Sequence, residues 1–153
     1  MNALRDLLTS RSSAVTMDVA ALEIASIEHP RLDPTPWLRE LDRLAVEVAE
    51  RTGDLSDGLH FIQSMNEFLF QEQRFHGNDA FYYDPRNSCL NDVLAYRTGI
   101  PITLSVVYME IARRLQKPLA GIGAPGHFLI SYEEDSLTLF IDPYHGRQVN
   151  YIG

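Results

Sequence analysis

Apolar residues recur at helical spacing through roughly the first 115 positions and at strand spacing after them. Ala20, Ile24 and Ile27 share one face of a helix that His29-Pro30 ends, because a residue before proline is pushed out of the helical region. Asp33-Pro34-Thr35-Pro36 supplies a cap and an early proline for a second helix, which carries Leu38, Leu41, Ala45 and Val48 and stops near Thr52-Gly53. Ser56 is expected to cap a third, with Leu59, Ile62, Met65 and Leu69 inward, ending around Phe75-His76-Gly77. From Gly77 to Ser88 turn formers surround Phe81-Tyr82-Tyr83, which predicts an ordered loop held down by its rings. Asn87 or Ser88 then caps a helix carrying Leu90, Val93 and Leu94, and Gly99 permits the sharp turn that follows. Pro101 opens the central helix, whose broad apolar face is Leu104, Val107, Tyr108, Ile111 and Leu115.

Beyond Leu115 the period changes. Leu119 to Ile122 reads as a short strand broken by Gly123-Ala124-Pro125-Gly126, and His127 to Tyr132 and Leu137 to Asp142 read as two strands around a four-residue loop, Glu133 to Ser136. Pairing about that loop sets Tyr132 opposite Leu137, Ile130 opposite Leu139 and His127 opposite Asp142, with Cβ atoms about 4.5–5.5 Å apart. A carboxylate beside an imidazole fixes its tautomer, which is the base-and-orienter half of a nucleophilic triad; a plain cross-strand polar pair has the same spacing. The expected fold is α+β in one domain, 1–153, with a helical portion (1–77) packed on core helices and antiparallel strands (78–153).

Composition narrows the function classes. The chain has 153 residues, 45% of them hydrophobic, enough for one real core. A formal net charge of −8 argues against nucleic acid as a partner, and Arg113, Arg114 and Lys117 read as a solvated helix end that complements the dipole. A lone Cys89 excludes an internal disulfide and fits a reducing compartment, so the expected location is the cytoplasm. Charges interrupt the apolar residues of the first ten positions, and no apolar run approaches the ~20 residues of a membrane span. His29 and His60 read as structural or solvated, and Trp37 as a core or interface anchor. His127, Asp142 and His145 fall near one another without a metal-binding motif, so neither a metal nor a cofactor is expected.

Three segments add a family to this picture: Asn87-Ser88-Cys89-Leu90-Asn91-Asp92-Val93-Leu94, Gly99-Ile100-Pro101-Ile102-Thr103-Leu104-Ser105, and Pro125-Gly126-His127-Phe128-Leu129, with Phe140-Ile141-Asp142-Pro143 closing the set. From Leu90 to Asp142 the chain resembles the transglutaminase-like core of the papain-like cysteine enzymes, and within it a bacterial SirB-type, invasion-regulator branch often followed by tetratricopeptide repeats. The resemblance implies a base at His127 and its orienting carboxylate at Asp142. It places the family's nucleophilic cysteine at Pro101, which has neither thiol nor N–H. Its implication is a catalytically degenerate domain, of regulatory or assembly role, that binds a protein or peptide. An alternative is a cysteine-dependent hydrolase or acyltransferase that uses Cys89 with His127 and Asp142. A third, with Thr103 or Ser105 as nucleophile, ranks lowest because hydroxyls in a helix's first turns bond to the backbone.

Overall fold

In the computed structural model, which describes residues 15–117, 119–124, 127–134 and 136–149, five α-helices precede a small antiparallel sheet. The helices are α1 (Met17–Glu28), α2 (Thr35–Thr52), α3 (Gly58–Asn66), α4 (Leu90–Tyr96) and α5 (Pro101–Arg114). A π-helical turn, Glu67–Glu72, continues α3, and a 3-10 turn, Pro85–Ser88, leads into α4. Two short strands, β1 (His76–Gly77) and β2 (Thr98–Gly99), pair in parallel. The main sheet has the order β3 (Ala120–Ala124), β4 (His127–Glu134), β5 (Leu137–Asp142), β6 (Arg147–Val149). The fold is α+β.

α5 is the hub. Leu104, Val107, Tyr108, Ile111 and Ala112 are buried along it, and it packs on α1, α2, α4 and β4. One apolar cluster joins Leu22 of α1, Leu41 and Leu44 of α2, Phe61 and Met65 of α3, Leu90 of α4, α5 itself, Ile130 and Tyr132 of β4, and Ile141 of β5. Each fully buried side chain of this size is worth about 1.5–3 kcal/mol. Tyr108, whose hydroxyl donates to Asn66 Oδ1 at 2.7 Å, also satisfies its one polar group.

The faces of two helices differ from the expected ones. In α1, Ile24 and Ile27 point outward, and Asp18, Ala20, Leu22 and Ala25 face in. The inward choice is set by Asp18, whose carboxylate meets Arg114 Nη2 at 2.6 Å. Arg114 also reaches Asp42 and the buried Glu110, Arg113 pairs with Glu110, and Lys117 is buried against Glu134. The basic group at the end of α5 is therefore engaged in ion pairs, with Arg114 and Lys117 largely buried and Arg113 exposed. α3 is capped by Asp57, which accepts from His60 N–H, in place of Ser56. Ile62, Met65 and Leu69 are buried as expected, Phe61 joins them while Leu59 is exposed, and the wide π-turn buries the consecutive Phe68 and Leu69 together.

The loop before α4 is held by amide hydrogen bonds together with an edge-on contact of the Tyr82 ring with Tyr144, centroids 6.0 Å apart. Asn87 Nδ2 donates to the carbonyls of Phe81 and Tyr82 and Asn87 Oδ1 accepts from Asn78, while Phe81, Tyr82 and Tyr83 are exposed. Cys89, rather than Asn87 or Ser88, is the first flanking residue of α4, without a side-chain cap. α4 ends at Tyr96, with Arg97 in the left-handed conformation (φ 58°). Gly99 serves close approach instead: a Cβ there would stand 2.8 Å from Thr103 Oγ1.

The β4–β5 hairpin is tighter than expected. Glu134 pairs with Leu137 and Tyr132 with Leu139, so two positions, not four, separate the strands. Glu134 stays in the strand because its carboxylate accepts from Tyr132 Oη at 2.6 Å and Lys117 Nζ at 3.0 Å. The register moves by two residues. His127 and Asp142 therefore remain on one face of the sheet but are not directly opposite.

Candidate functional site

The entrance of α5 is built from backbone restraint. Ile100 is extended (φ −108°), Pro101 supplies the first helical residue, and Thr103 Oγ1 accepts from Ile100 N–H at 3.2 Å while donating to Asn87 O at 2.7 Å. Ser105 Oγ donates to Pro101 O at 2.7 Å. Both hydroxyls considered as nucleophiles are thus engaged with backbone carbonyls. Beside this entrance, Ile102, Val106, Met17, Ala20 and Ile24 line an apolar groove with a cavity of about 310 Å³. The outward Ile24 of α1 has its place here.

Asp142 lies at the end of β5, 3% exposed. Its carboxylate accepts from His145 N–H at 3.2 Å, meets His145 Nδ1 at 2.7 Å, and has Arg147 Nε at 3.6 Å. His127, at the start of β4, is exposed, and among the described residues no hydrogen bond joins it to Asp142. The expected His127–Asp142 hydrogen bond is replaced by a local one from a turn two residues beyond Pro143.

Cys89 is 3% exposed, and its Sγ sits 3.6 Å from Pro85 O. Burial, then the charges of Asp92 and Glu28, push its thiol above the ordinary value. This is the opposite of an activated nucleophile. Its neighbours are His29 and Asp92. His29 Nε2 stands 2.8 Å from Asp92 Oδ2, and the sulfur lies within 4.8 Å of ligand atoms of both. Among the described residues this is the one set of three His, Cys, Asp or Glu side chains gathered so closely; Cys89, His127 and Asp142 do not form such a set.

His29 was not legible as a site residue. It follows the end of α1, 63 positions from its partner, and only the Cys89-x-x-Asp92 spacing at the start of α4 hinted that two donors share a face there. Next to Asp92, the side-chain oxygen of Asn91 is buried with no hydrogen-bond partner. Asn91 lines a cavity of about 610 Å³ together with His29, Arg31, Leu32 and Trp37. Thiol, imidazole and carboxylate in one cluster are metal-competent donors. No helix among the described residues is long and apolar enough to cross a membrane.

With this geometry in place, comparison with known proteins adds the lineage. The family described as Transglutaminase-like superfamily matches residues 35–152. The chain is 36% identical over 141 residues to a UPF0162 protein of Xylella fastidiosa (strain Temecula1), covering 92% of this chain and 50% of that one. It is 37% identical over 130 residues to a UPF0162 protein of Pseudomonas aeruginosa, covering 85% and 47%. F-box only protein 21 of Homo sapiens is 41% identical over 71 residues, 46% of this chain and 11% of that protein. The chain spans about half the length of these bacterial relatives. No solved structure gives a significant match.

Proposed function

The chain belongs to the transglutaminase-like superfamily over residues 35–152, and from that premise we propose that it is a catalytically degenerate member, a cytoplasmic regulatory or assembly module that binds a protein or peptide. The observation that supports this most is Pro101 as the first residue of α5, the position where the family resemblance puts the nucleophilic cysteine. Proline offers no thiol, Thr103 and Ser105 are committed to carbonyls, and the buried Cys89 has a raised pKa. A base and an orienter without a nucleophile perform no acyl transfer. The apolar groove beside the α5 entrance is the surface we assign to the partner, since Ile102 and Ile24 are exposed there. The resemblance to the SirB-type branch further assigns the domain to a longer protein with tetratricopeptide repeats.

Two assays on the purified protein separate this from an enzyme. Hydrolysis of p-nitrophenyl acetate and incorporation of a fluorescent amine into casein are expected at background, unchanged by Cys89→Ser or His127→Ala. A rate abolished by both substitutions would establish the Cys89-dependent enzyme instead. Selection from a random peptide library should yield ligands whose binding is lost in Ile102→Asp, a solvent-facing change. Ligands indifferent to Ile102→Asp would remove the groove from the proposal.

A further inference from the structure

His29, Cys89 and Asp92 have no part in the function proposed above, yet they are held together by rigid elements. His29 caps the C-terminal end of α1, Cys89 flanks α4, and Asp92 lies in the first turn of α4; the two helices pack directly on each other. We propose that these three side chains form a binding site for a borderline-soft divalent cation of the zinc type, with a fourth position left for water or an external ligand.

The chemistry of the donors is the first support. A thiolate, an imidazole nitrogen and a carboxylate oxygen are the three donor types that zinc takes in proteins. The geometry is the second. Zinc bonds of about 2.0–2.3 Å in a tetrahedron set ligand atoms roughly 3.3–3.7 Å apart. Here the imidazole and carboxylate stand at 2.8 Å and all three ligand atoms lie within 4.8 Å of one another, so closing the site needs shifts on the order of an ångström.

Charge is the third. A dication set between the Asp92 carboxylate and the buried Cys89 sulfur favours the thiolate, and the thiol proton leaves to solvent as the Sγ–metal bond forms. Access is available, because the His29 side chain is 38% exposed and lines the 610 Å³ cavity. Asn91, next to Asp92 in the chain, also lines that cavity, and its Oδ1 is a buried acceptor without a hydrogen-bond partner. This set is distinct from His127, Asp142 and His145, whose carboxylate is already engaged by a turn.

The test uses the full chain without a histidine tag, stripped with chelator and titrated with Co²⁺. Since Cys89 is the single cysteine, a thiolate-to-cobalt charge-transfer band in the near ultraviolet identifies the sulfur ligand without any variant. The expected result is saturation at one equivalent, visible d–d bands of tetrahedral intensity, and displacement by Zn²⁺. Cys89→Ser should abolish the charge-transfer band, and His29→Ala and Asp92→Asn should each raise Kd at least about tenfold. Independently, Zn²⁺ should protect Cys89 of the unaltered protein from iodoacetamide, and chelator should restore labelling. Absence of the charge-transfer band in the folded protein, or a band and Kd indifferent to His29→Ala, would overturn the site.

Discussion

Asp142 and His145 close a turn on each other, Nδ1 to Oδ2 at 2.7 Å, and this contact occupies the carboxylate expected to orient His127 across the sheet. The β4–β5 register explains it. Ile130 pairs with Ile141, so continuing the ladder sets Asp142 beside Leu129, with His127 two residues along. A double-mutant cycle in urea should give a coupling of about 0.5–1 kcal/mol between Asp142→Ala and His145→Ala, and nothing measurable between Asp142→Ala and His127→Ala. The reverse pattern would restore the direct His127–Asp142 pairing.

The Asp18–Arg114 contact makes a second prediction. Burial works to raise the Asp18 carboxyl, but hydrogen bonds from Thr16, Arg114 and the Val19 N–H outweigh it and hold the group below 3.8. A folded value under the unfolded one means that this contribution is complete above 3.8 and is lost as pH falls through the folded value. Asp18→Asn should therefore cost most near neutrality, and its difference from the unaltered protein should shrink on acidification. Arg114→Ala takes from the buried Asp18 carboxylate its 2.6 Å partner while Glu110 keeps Arg113, and should cost about 2 kcal/mol in chemical denaturation at pH 7.

These two contacts also mark how far the sequence reaches. α2, α5 and the span of β5 were legible, because a proline entry and an apolar stripe at period 3.6, or an unbroken β-type run, act locally. The face of α1 was not, since Ile24 and Ile27 are as apolar as the residues turned inward; a long-range partner, Arg114, decides the matter. The hairpin register failed on two residues, Glu133 and Glu134. Both look like loop, and Glu134 is held in β4 by Lys117 and Tyr132, which the local pattern does not reveal. Of the residues expected at a site, Cys89, the single thiol, could be named from the sequence, and His127 and Asp142 from the family resemblance. The company that Cys89 keeps could not, because His29 reaches it from another helix.

Gly99 offers a test of packing against turn geometry. It lies in β2, and an added Cβ would meet Thr103 Oγ1 at 2.8 Å, Val93 Cγ2 at 3.1 Å and Leu104 Cγ at 3.3 Å. Gly99→Ala should destabilise by about 1–3 kcal/mol through crowding at the entrance of α5. Thr103→Ser in that background removes a methyl group but keeps the crowding hydroxyl, so it should recover little. Thr103→Ala removes the clash and also strips the donor to Asn87 O, so stability should recover only in part. Gly99→Ala at full stability would show that the close approach is not required.

The last prediction concerns Pro101, where family resemblance and local geometry can be tried together. Pro101→Cys in a Cys89→Ser background puts the single thiol at the first residue of a 14-residue helix, whose N-terminal dipole favours thiolate. The position tolerates exchange, because its N–H is not needed by the helix and Ile100 and Thr103 already fix the entrance. α5 packs against β4, the strand that begins with His127, so a base in the family's arrangement would add a second stabilisation. The thiol should titrate below the free value of ~8.5 in iodoacetamide labelling against pH, and His127→Ala should move it back toward that value. A lowered pKa that ignores His127 would leave the helix effect standing and withdraw His127 as the partner of this position. An ordinary pKa in a folded variant would withdraw Pro101 as the heir of the nucleophile, and with it the chief support for a degenerate enzyme.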